Sequence, residues 1–183
     1  MRASGVTVIT AALPERADRL LEAIESVAAQ TVQPDEHLVA VDYKREGGAR
    51  VYSMLASMVT SEWTAILPDD DVLYPEHIEK LLAAAGSAEV VYSWCESTGH
   101  GPWQGYNQGF DPSILRVGSI VSHVAMVRTD LIQHLGGWPS GRGYDWRFWV
   151  NALESGAEFV CVPEPTWRYR LEPQWRHESR GGV

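Results

Sequence analysis

The sequence predicts an α/β domain with a mostly parallel central sheet and helices on both of its faces. Three observations lead there. Short apolar runs rich in β-branched residues alternate with segments of helical spacing, four times over within the first hundred residues. Gly and Pro punctuate the joins between them. Aspartates stand directly after two of the apolar runs, and in parallel sheets ligands collect at the carboxyl ends of the strands. At 183 residues, 45% of them hydrophobic, the chain can fill one sizeable core and is short for two, so residues 1–183 are expected to form a single domain.

The elements follow in order. "VTVIT" (6–10) reads as a strand, and Pro14 leads into "ERADRLLEAIESVAAQ", where Leu20, Ile24 and Val27 recur at helical spacing. "HLVAVDY" (37–43) is a second strand ending in Asp42, and Gly47 and Gly48 mark a loop before the helix-like "ARVYSMLASMV". "WTAILP" (63–68) is a third strand, followed at once by Asp69, Asp70 and Asp71. "PEHIEKLLAAAG" (75–86) puts Ile78, Leu81, Leu82 and Ala85 on one side before a terminal Gly, and "EVVYSWC" (89–95) is a fourth strand. Residues 97–121 are Gly-rich, aromatic and aperiodic, which predicts a long loop. Beyond it come a strand in "SHVAMVRTD" (122–130), a brief helix in "LIQHLGG", a helix in "YDWRFWVNALESG" (144–156), a strand in "EFVCVP" and a tail, "WRYRLEPQWRHESRGGV".

The net charge of −9 and the absence of any dense basic run exclude a nucleic-acid backbone as a natural partner. No apolar stretch approaches the roughly 20 residues that cross a bilayer. "MRASGVTVIT" lacks the long apolar core of a signal peptide, so the protein is expected to be soluble and cytoplasmic. Cys95 and Cys161 have no second Cys or His at metal-site spacing and are expected to be buried free thiols.

Three adjacent carboxylates where a strand leaves the core repel one another and need compensation. One reading is a solvated acidic turn, with Asp71 or a neighbour capping the helix that Pro75 begins. The other is a divalent cation held by hard oxygen ligands and holding a phosphate in turn. A calcium hand starting at Asp69 would need Gly and Glu where the chain has Tyr74 and Lys80. There is no G-x-x-x-x-G-K-[ST] loop and no G-x-G-x-x-G after the first strand, so any phosphate would be held through metal. No G-x-S-x-G elbow supports a serine triad. Asp71 and Asp145 could pair as glycosidase carboxylates, but that leaves Asp42 and the aspartate run without a purpose.

The ordered set "VTVIT…RLLEAIESVAAQT…HLVAVDY…WTAILPDDDVLYP…VVYSW…AMVRTDLIQHLGGWP…YDWRFWVNALESG…VPEPTWRYR" resembles the family-2 glycosyltransferases of the GT-A fold over nearly the whole chain. The resemblance implies a Rossmann-like three-layer α/β sandwich and inverting transfer of a sugar from a nucleotide donor, commonly a uridine diphosphate sugar, with Mn²⁺ or Mg²⁺ at a D-x-D signature. It implies a nucleobase-reading role for Asp42, with Thr10 and the backbone of Ala11 beside it. Asp69 and Asp71 match the D-x-D, Asp71 as the direct metal ligand and Asp69 nearer the ribose or metal, with Asp70 between them on the donor side. Asp145 stands in the place of the catalytic base, which takes the proton of an acceptor hydroxyl on a carbohydrate or protein. The plain alternative for Asp145 is a helix-start carboxylate facing the macrodipole.

The chain also departs from that family. Ala11 and Ala12 stand where Pro-Thr is usual, Tyr52 and Ser53 replace an Arg-Asn pair and leave Arg50 as the nearby phosphate partner, and Tyr144 replaces an acidic residue. The usual His after the last strand falls on Glu172, which moves the expectation of a third metal ligand to His177. Of the eight Trp, Trp146 and Trp149 lie on one helix face and read as core, while Trp94, Trp103 and Trp138 are candidates for a sugar platform. These departures keep two other classes open: a catalytically silent sugar-nucleotide or carbohydrate-binding module, and a metal-dependent nucleotidyltransferase.

Overall fold

The computed structural model describes residues 5–99 and 105–171. Strands β1 (Val6–Ala12), β2 (Glu36–Val41), β3 (Trp63–Ile66), β4 (Val72–Leu73), β5 (Val90–Gly99), β6 (Ala125–Arg128) and β7 (Phe159–Leu171) form one sheet in the order β2-β1-β3-β6-β5-β7-β4. β1 is parallel to β2 and β3, and β5 is parallel to β7. β6 lies antiparallel between β3 and β5, so β1, β2, β3, β5 and β7 all point the same way while β6 and the two-residue β4 oppose them. The expected mostly parallel sheet is present, with one reversed strand inserted. Its helices are α1 (Ala17–Ala28), α2 (Gly48–Met58), α3 (His77–Ala85), α4 (Pro112–Leu115), α5 (Thr129–His134) and α6 (Tyr144–Glu154).

Strand alternation builds the three layers. Val6 and Val8 of β1, Val91 of β5 and Met126 of β6 face Ala23 and Val27 of α1 and Ile78 and Leu81 of α3. Ile9, Val90, Tyr92, Ala125 and Val127 face the other way, onto Tyr52 and Leu55 of α2, Ile132 of α5, and Phe148 and Trp149 of α6. Trp149 is fully buried, as its helical spacing predicts, and the indole N–H of Trp146 donates to the Leu115 carbonyl at 2.7 Å. On α1 the buried stripe is Ala23, Ser26 and Val27, and Ile24 is exposed, against the expected Leu20–Ile24–Val27 face. Ser26 explains the rotation: its hydroxyl accepts the Leu73 N–H at 3.2 Å and donates to the Ala23 carbonyl at 2.7 Å. Cys95 is buried, Cys161 is partly exposed, and both are free thiols.

Two stretches fold further than their sequence suggests. β5 continues into the expected loop as far as Gly99, and α4 starts on Asp111, whose side chain accepts the Ser113 and Ile114 N–H groups. The expected tail begins inside β7, which runs from Phe159 through Pro163 and Pro165 to Leu171. The register against β5 slips where Ser93 pairs with Val162 and Trp94 with Pro165, so the prolines sit at bulges where no ladder hydrogen bond is lost.

A buried polar chain ties α3 to the sheet. His77 Nδ1 lies 2.6 Å from Thr166 Oγ1, and Ser93 Oγ lies 2.6 Å from the same oxygen. Burial pushes His77 down to about 3 and His37, on β2, down to about 4. Both are therefore neutral in the folded protein at pH values where the unfolded chain already binds a proton, and stability drains away as the pH falls. The melting temperature should be level near neutrality and drop once the pH passes below about 6.5, each histidine costing up to about 1.4 kcal/mol per pH unit. A thermal unfolding series should show a shallower fall in His77→Asn, which takes up no proton; equal slopes would remove His77 from the effect.

Candidate active site

The carboxyl ends of β1, β2 and β3, the start of β6 and the end of β7 surround a cleft of about 560 Å³. Its floor is the Pro68–Asp71 turn after β3. One wall carries Ala11, Ala12, Leu13, Arg16, Asp42 and the first two turns of α2; the other carries Tyr106, Trp167, Tyr169 and Arg170. His123, Val124 and the start of α6, Gly143 to Asp145, close the remaining side.

The aspartate turn is held from both walls. Asp69 Oδ2 accepts the Leu13 N–H at 2.7 Å, and its Oδ1 takes Arg16 Nη1 at 2.9 Å. The same guanidinium nitrogen is 2.9 Å from Asp70 Oδ2. Asp71 Oδ1 accepts the Arg170 N–H at 3.1 Å. Burial, then the adjacent Asp70 charge, push Asp71 well above the usual carboxylate range, and burial raises Asp70 against the pull of Arg16.

Asp42 follows β2 directly and lines the same cleft, so strand order brings it to the aspartate turn across β1. Its two oxygens accept the Glu46 and Gly47 N–H groups at 2.9 and 2.8 Å, and these bonds lower its pKa. Ala11 lines the cleft, whereas the Thr10 hydroxyl turns into the sheet and lies 2.9 Å from His37 Nε2. Arg50 points out of this cleft into a neighbouring groove and pairs with Glu46 at 3.4 Å. Asp145, in the first turn of α6, is partly buried and makes no hydrogen bond or ion pair with another described residue. Thus Asp42, Asp69, Asp70, Asp71 and Asp145 share one cleft, while the Thr10 and Arg50 side chains lie elsewhere. His177, Glu172 and Trp103 fall outside the described residues.

Several cleft residues carry no motif. Arg16 sits in a 3₁₀ turn (Pro14–Arg16) at the entry to α1, and only the need of the aspartates for a cation could have singled it out. Trp167, Tyr106 and Tyr169 form the aromatic wall, with ring centroids 5.7–6.4 Å apart, where the sequence offered Trp94, Trp103 and Trp138. Trp138 stacks on Phe148 at 4.8 Å in the core. Tyr144 meets α2 so closely that a Cβ on Gly48 would lie 2.6 Å from its hydroxyl oxygen.

The donor set suits a hard divalent cation. Arg16 compensates Asp69 and Asp70, while Asp71 is buried and forms no ion pair with a side-chain cation among the described residues. Among the described residues no three His, Cys, Asp or Glu side chains converge as a cage. Sites of the Mg²⁺ type need none, because one or two carboxylates, waters and substrate phosphates complete the shell.

The architecture is that of GT-A-type glycosyltransferases. Residues covering 97% of this chain superpose on 61% of Staphylococcus aureus TarS 1–349 in its complex with UDP-GlcNAc, with a TM-score of 0.76 at 14% identity. Another crystal structure of the same TarS fragment matches 90% of this chain and 60% of its own with a TM-score of 0.73, again at 14% identity. The mannosyltransferase PcManGT from Pyrobaculum calidifontis, in complex with GDP-Man and Mn²⁺, matches 96% of this chain and 59% of its own, with a TM-score of 0.67 at 17% identity. The chain thus spans about three fifths of the length of these structures. No protein-family model matches it, and no curated protein matches it in sequence.

Arg16 is the guanidinium that pairs with two of the three floor carboxylates, so its loss should be felt most when they are ionised. Arg16→Met should cost roughly 1–3 kcal/mol of stability near neutral pH. The deficit should shrink as the pH is lowered and Asp70, raised by burial, takes up its proton. Chemical denaturation at pH 7.5 and pH 5 measures both; a deficit that stays constant would mean that lost packing, not lost charge, is responsible.

Proposed function

We propose that the protein is an inverting, divalent-metal-dependent glycosyltransferase of the family-2 type, moving a sugar from a uridine diphosphate sugar to an acceptor hydroxyl. One observation carries this reading: carboxylates from three distant segments, Asp42, Asp69 to Asp71, and Asp145, converge on one cleft of a sheet with the GT-A order. The fold likeness to proteins whose structures hold UDP-GlcNAc or GDP-Man with Mn²⁺ supports the donor class.

In this reading the nucleoside lies between Ala11, Ala12 and Asp42, whose carboxylate accepts the ring N–H of the base. Asp71, with Asp69 or Asp70, would hold Mn²⁺ or Mg²⁺, which supplies charge to the diphosphate and the departing nucleotide. Asp145 takes the proton of the acceptor hydroxyl as its oxygen bonds to the anomeric carbon and the bond to the diphosphate breaks on the opposite face. A carboxylate with no hydrogen bond or ion pair to another described residue leaves both oxygens open to an acceptor hydroxyl. A second reading, a sugar-nucleotide-binding module without transfer activity, draws on Arg50 lying outside the cleft. Slow release of UDP from a UDP-sugar in the absence of acceptor favours the enzyme.

Two variants test the roles. Asp71→Asn should abolish the tightening of UDP binding by Mn²⁺ in calorimetry while holding or raising the melting temperature, since it relieves repulsion in a buried acidic turn. In the parent that tightening should grow as the pH rises above the usual carboxylate range, because Asp71 must ionise to hold the ion. Metal-dependent binding that survives in Asp71→Asn removes the residue from the site.

Asp145→Asn keeps the size of the side chain and discards its basicity. Transfer, or donor hydrolysis if no acceptor is in hand, should fall by roughly 10²- to 10⁴-fold. UDP and Mn²⁺ affinity should barely change. Turnover at the parent rate, with chemistry limiting, would identify Asp145 as a helix-start carboxylate only.

A further inference from the structure

Three histidines have rings withdrawn from solvent, and they differ in one respect. His37 is engaged by the Thr10 hydroxyl and His77 by that of Thr166. His123 has neither: both its ring nitrogens are out of contact with water and, among the described residues, without a hydrogen-bond partner. An imidazole always has one donor and one acceptor, or two donors, and leaving them unmet costs about 1–3 kcal/mol each. A fold that bears this cost in a cleft wall gains something from the group.

The surroundings fix where the ring stands. Ser122 donates its hydroxyl to the Val124 carbonyl at 2.7 Å, which sets the turn entering β6 and turns His123 between them toward α2 and α6. Three aromatic rings then meet the imidazole edge to face: Tyr52 with centroids 4.6 Å apart, Tyr144 at 5.4 Å and Trp138 at 5.9 Å. These contacts confine the ring without using its nitrogens. A half-turn about the Cβ–Cγ bond exchanges nitrogens for carbons within the same volume. His123 lines the cleft together with Tyr144, which its ring meets, and Asp145.

We propose that His123 is the specificity residue of the sugar subsite, hydrogen-bonding a hydroxyl of the transferred sugar beside Asp145. The inference rests on the functional reading given above. The chemistry selects a hydroxyl over the diphosphate: burial pushes His123 down to about 4 even against the nearby Asp145 charge, so the ring is neutral. A neutral ring with one donor and one acceptor matches a sugar hydroxyl, which is both, and gives an anion no charge to bind.

The test compares UDP with UDP-glucose, UDP-galactose and UDP-GlcNAc by calorimetry on the full chain with Mn²⁺. His123→Leu fills the aromatic box but removes both nitrogens, and His123→Gln returns one polar group. For whichever nucleotide sugar the parent binds, His123→Leu should shift the ratio of the sugar-nucleotide Kd to the UDP Kd roughly 3- to 10-fold against the sugar nucleotide. His123→Gln should recover part of the shift. An unchanged ratio, or equal weakening of UDP and UDP-sugar, overturns the proposal and makes His123 a packing residue, while leaving the glycosyltransferase reading intact. A parent chain that binds none of these nucleotides overturns that reading and this one with it.

Discussion

The structure turns on keeping three adjacent carboxylates at the carboxyl end of β3. Water solvates them poorly there, because the turn is walled by β1 on one side and β7 on the other and Asp69 and Asp71 are buried. What holds it is a clamp of short bonds from both walls: the Leu13 N–H and the Arg16 guanidinium on Asp69, and the Arg170 N–H on Asp71. Each bond joins segments more than fifty residues apart in sequence, so the clamp forms only when the sheet is complete. The site and the fold are in this sense one arrangement. Burial and the neighbouring Asp70 still hold Asp71 well above the usual carboxylate range, and on the functional reading proposed above a cation would answer that.

The reversed strand β6 widens that arrangement into the cleft. Placed between β3 and β5, it brings its amino end, with His123 and Val124, to the rim where the other strands end. A βαβ unit alone would leave that position to a crossover loop. Instead a short, buried strand held by Thr64 and Thr129 hydroxyls 2.9 Å apart carries cleft residues on a rigid element. The long pair β5 and β7 extends the opposite wall, where Tyr106 and Tyr169 stand next to each other with centroids 5.9 Å apart.

Much of this was legible in the sequence. Val6, Ile9, Ile78, Leu81 and Trp149 announce their burial by period alone, and Asp42, Asp69 to Asp71 and Asp145 fall at element ends where a parallel sheet gathers them. The misses have physical causes. β4 has two residues and therefore no period to detect. β7 hides behind Pro163 and Pro165, which read as breakers until a bulge accommodates them. Ile24 lost its place to Ser26 because a hydroxyl bond to Leu73 outweighed a modest apolar gain. Arg16, His123 and Tyr106 matter through partners distant in sequence, and no local pattern encodes such a meeting. Thr10 and Arg50 lay at the right sequence positions with side chains aimed elsewhere, a matter of strand parity and helix phase that a motif does not carry.

The meeting of Gly48 with Tyr144 has a consequence for how this cleft can change. The first turn of α2 lines the cleft near Asp42 and the first turn of α6 carries Asp145, and a phenol oxygen leaves room for no more than a hydrogen between Gly48 and Tyr144. Positions 48 and 144 therefore form one unit of variation. A side chain gained at 48 is tolerated only in company with a smaller ring or none at 144, so the two substitutions are neutral or harmful according to the order in which they arise. A path that adds a side chain at 48 is therefore easiest after residue 144 has changed, and a library that varies position 48 alone meets the tyrosine each time.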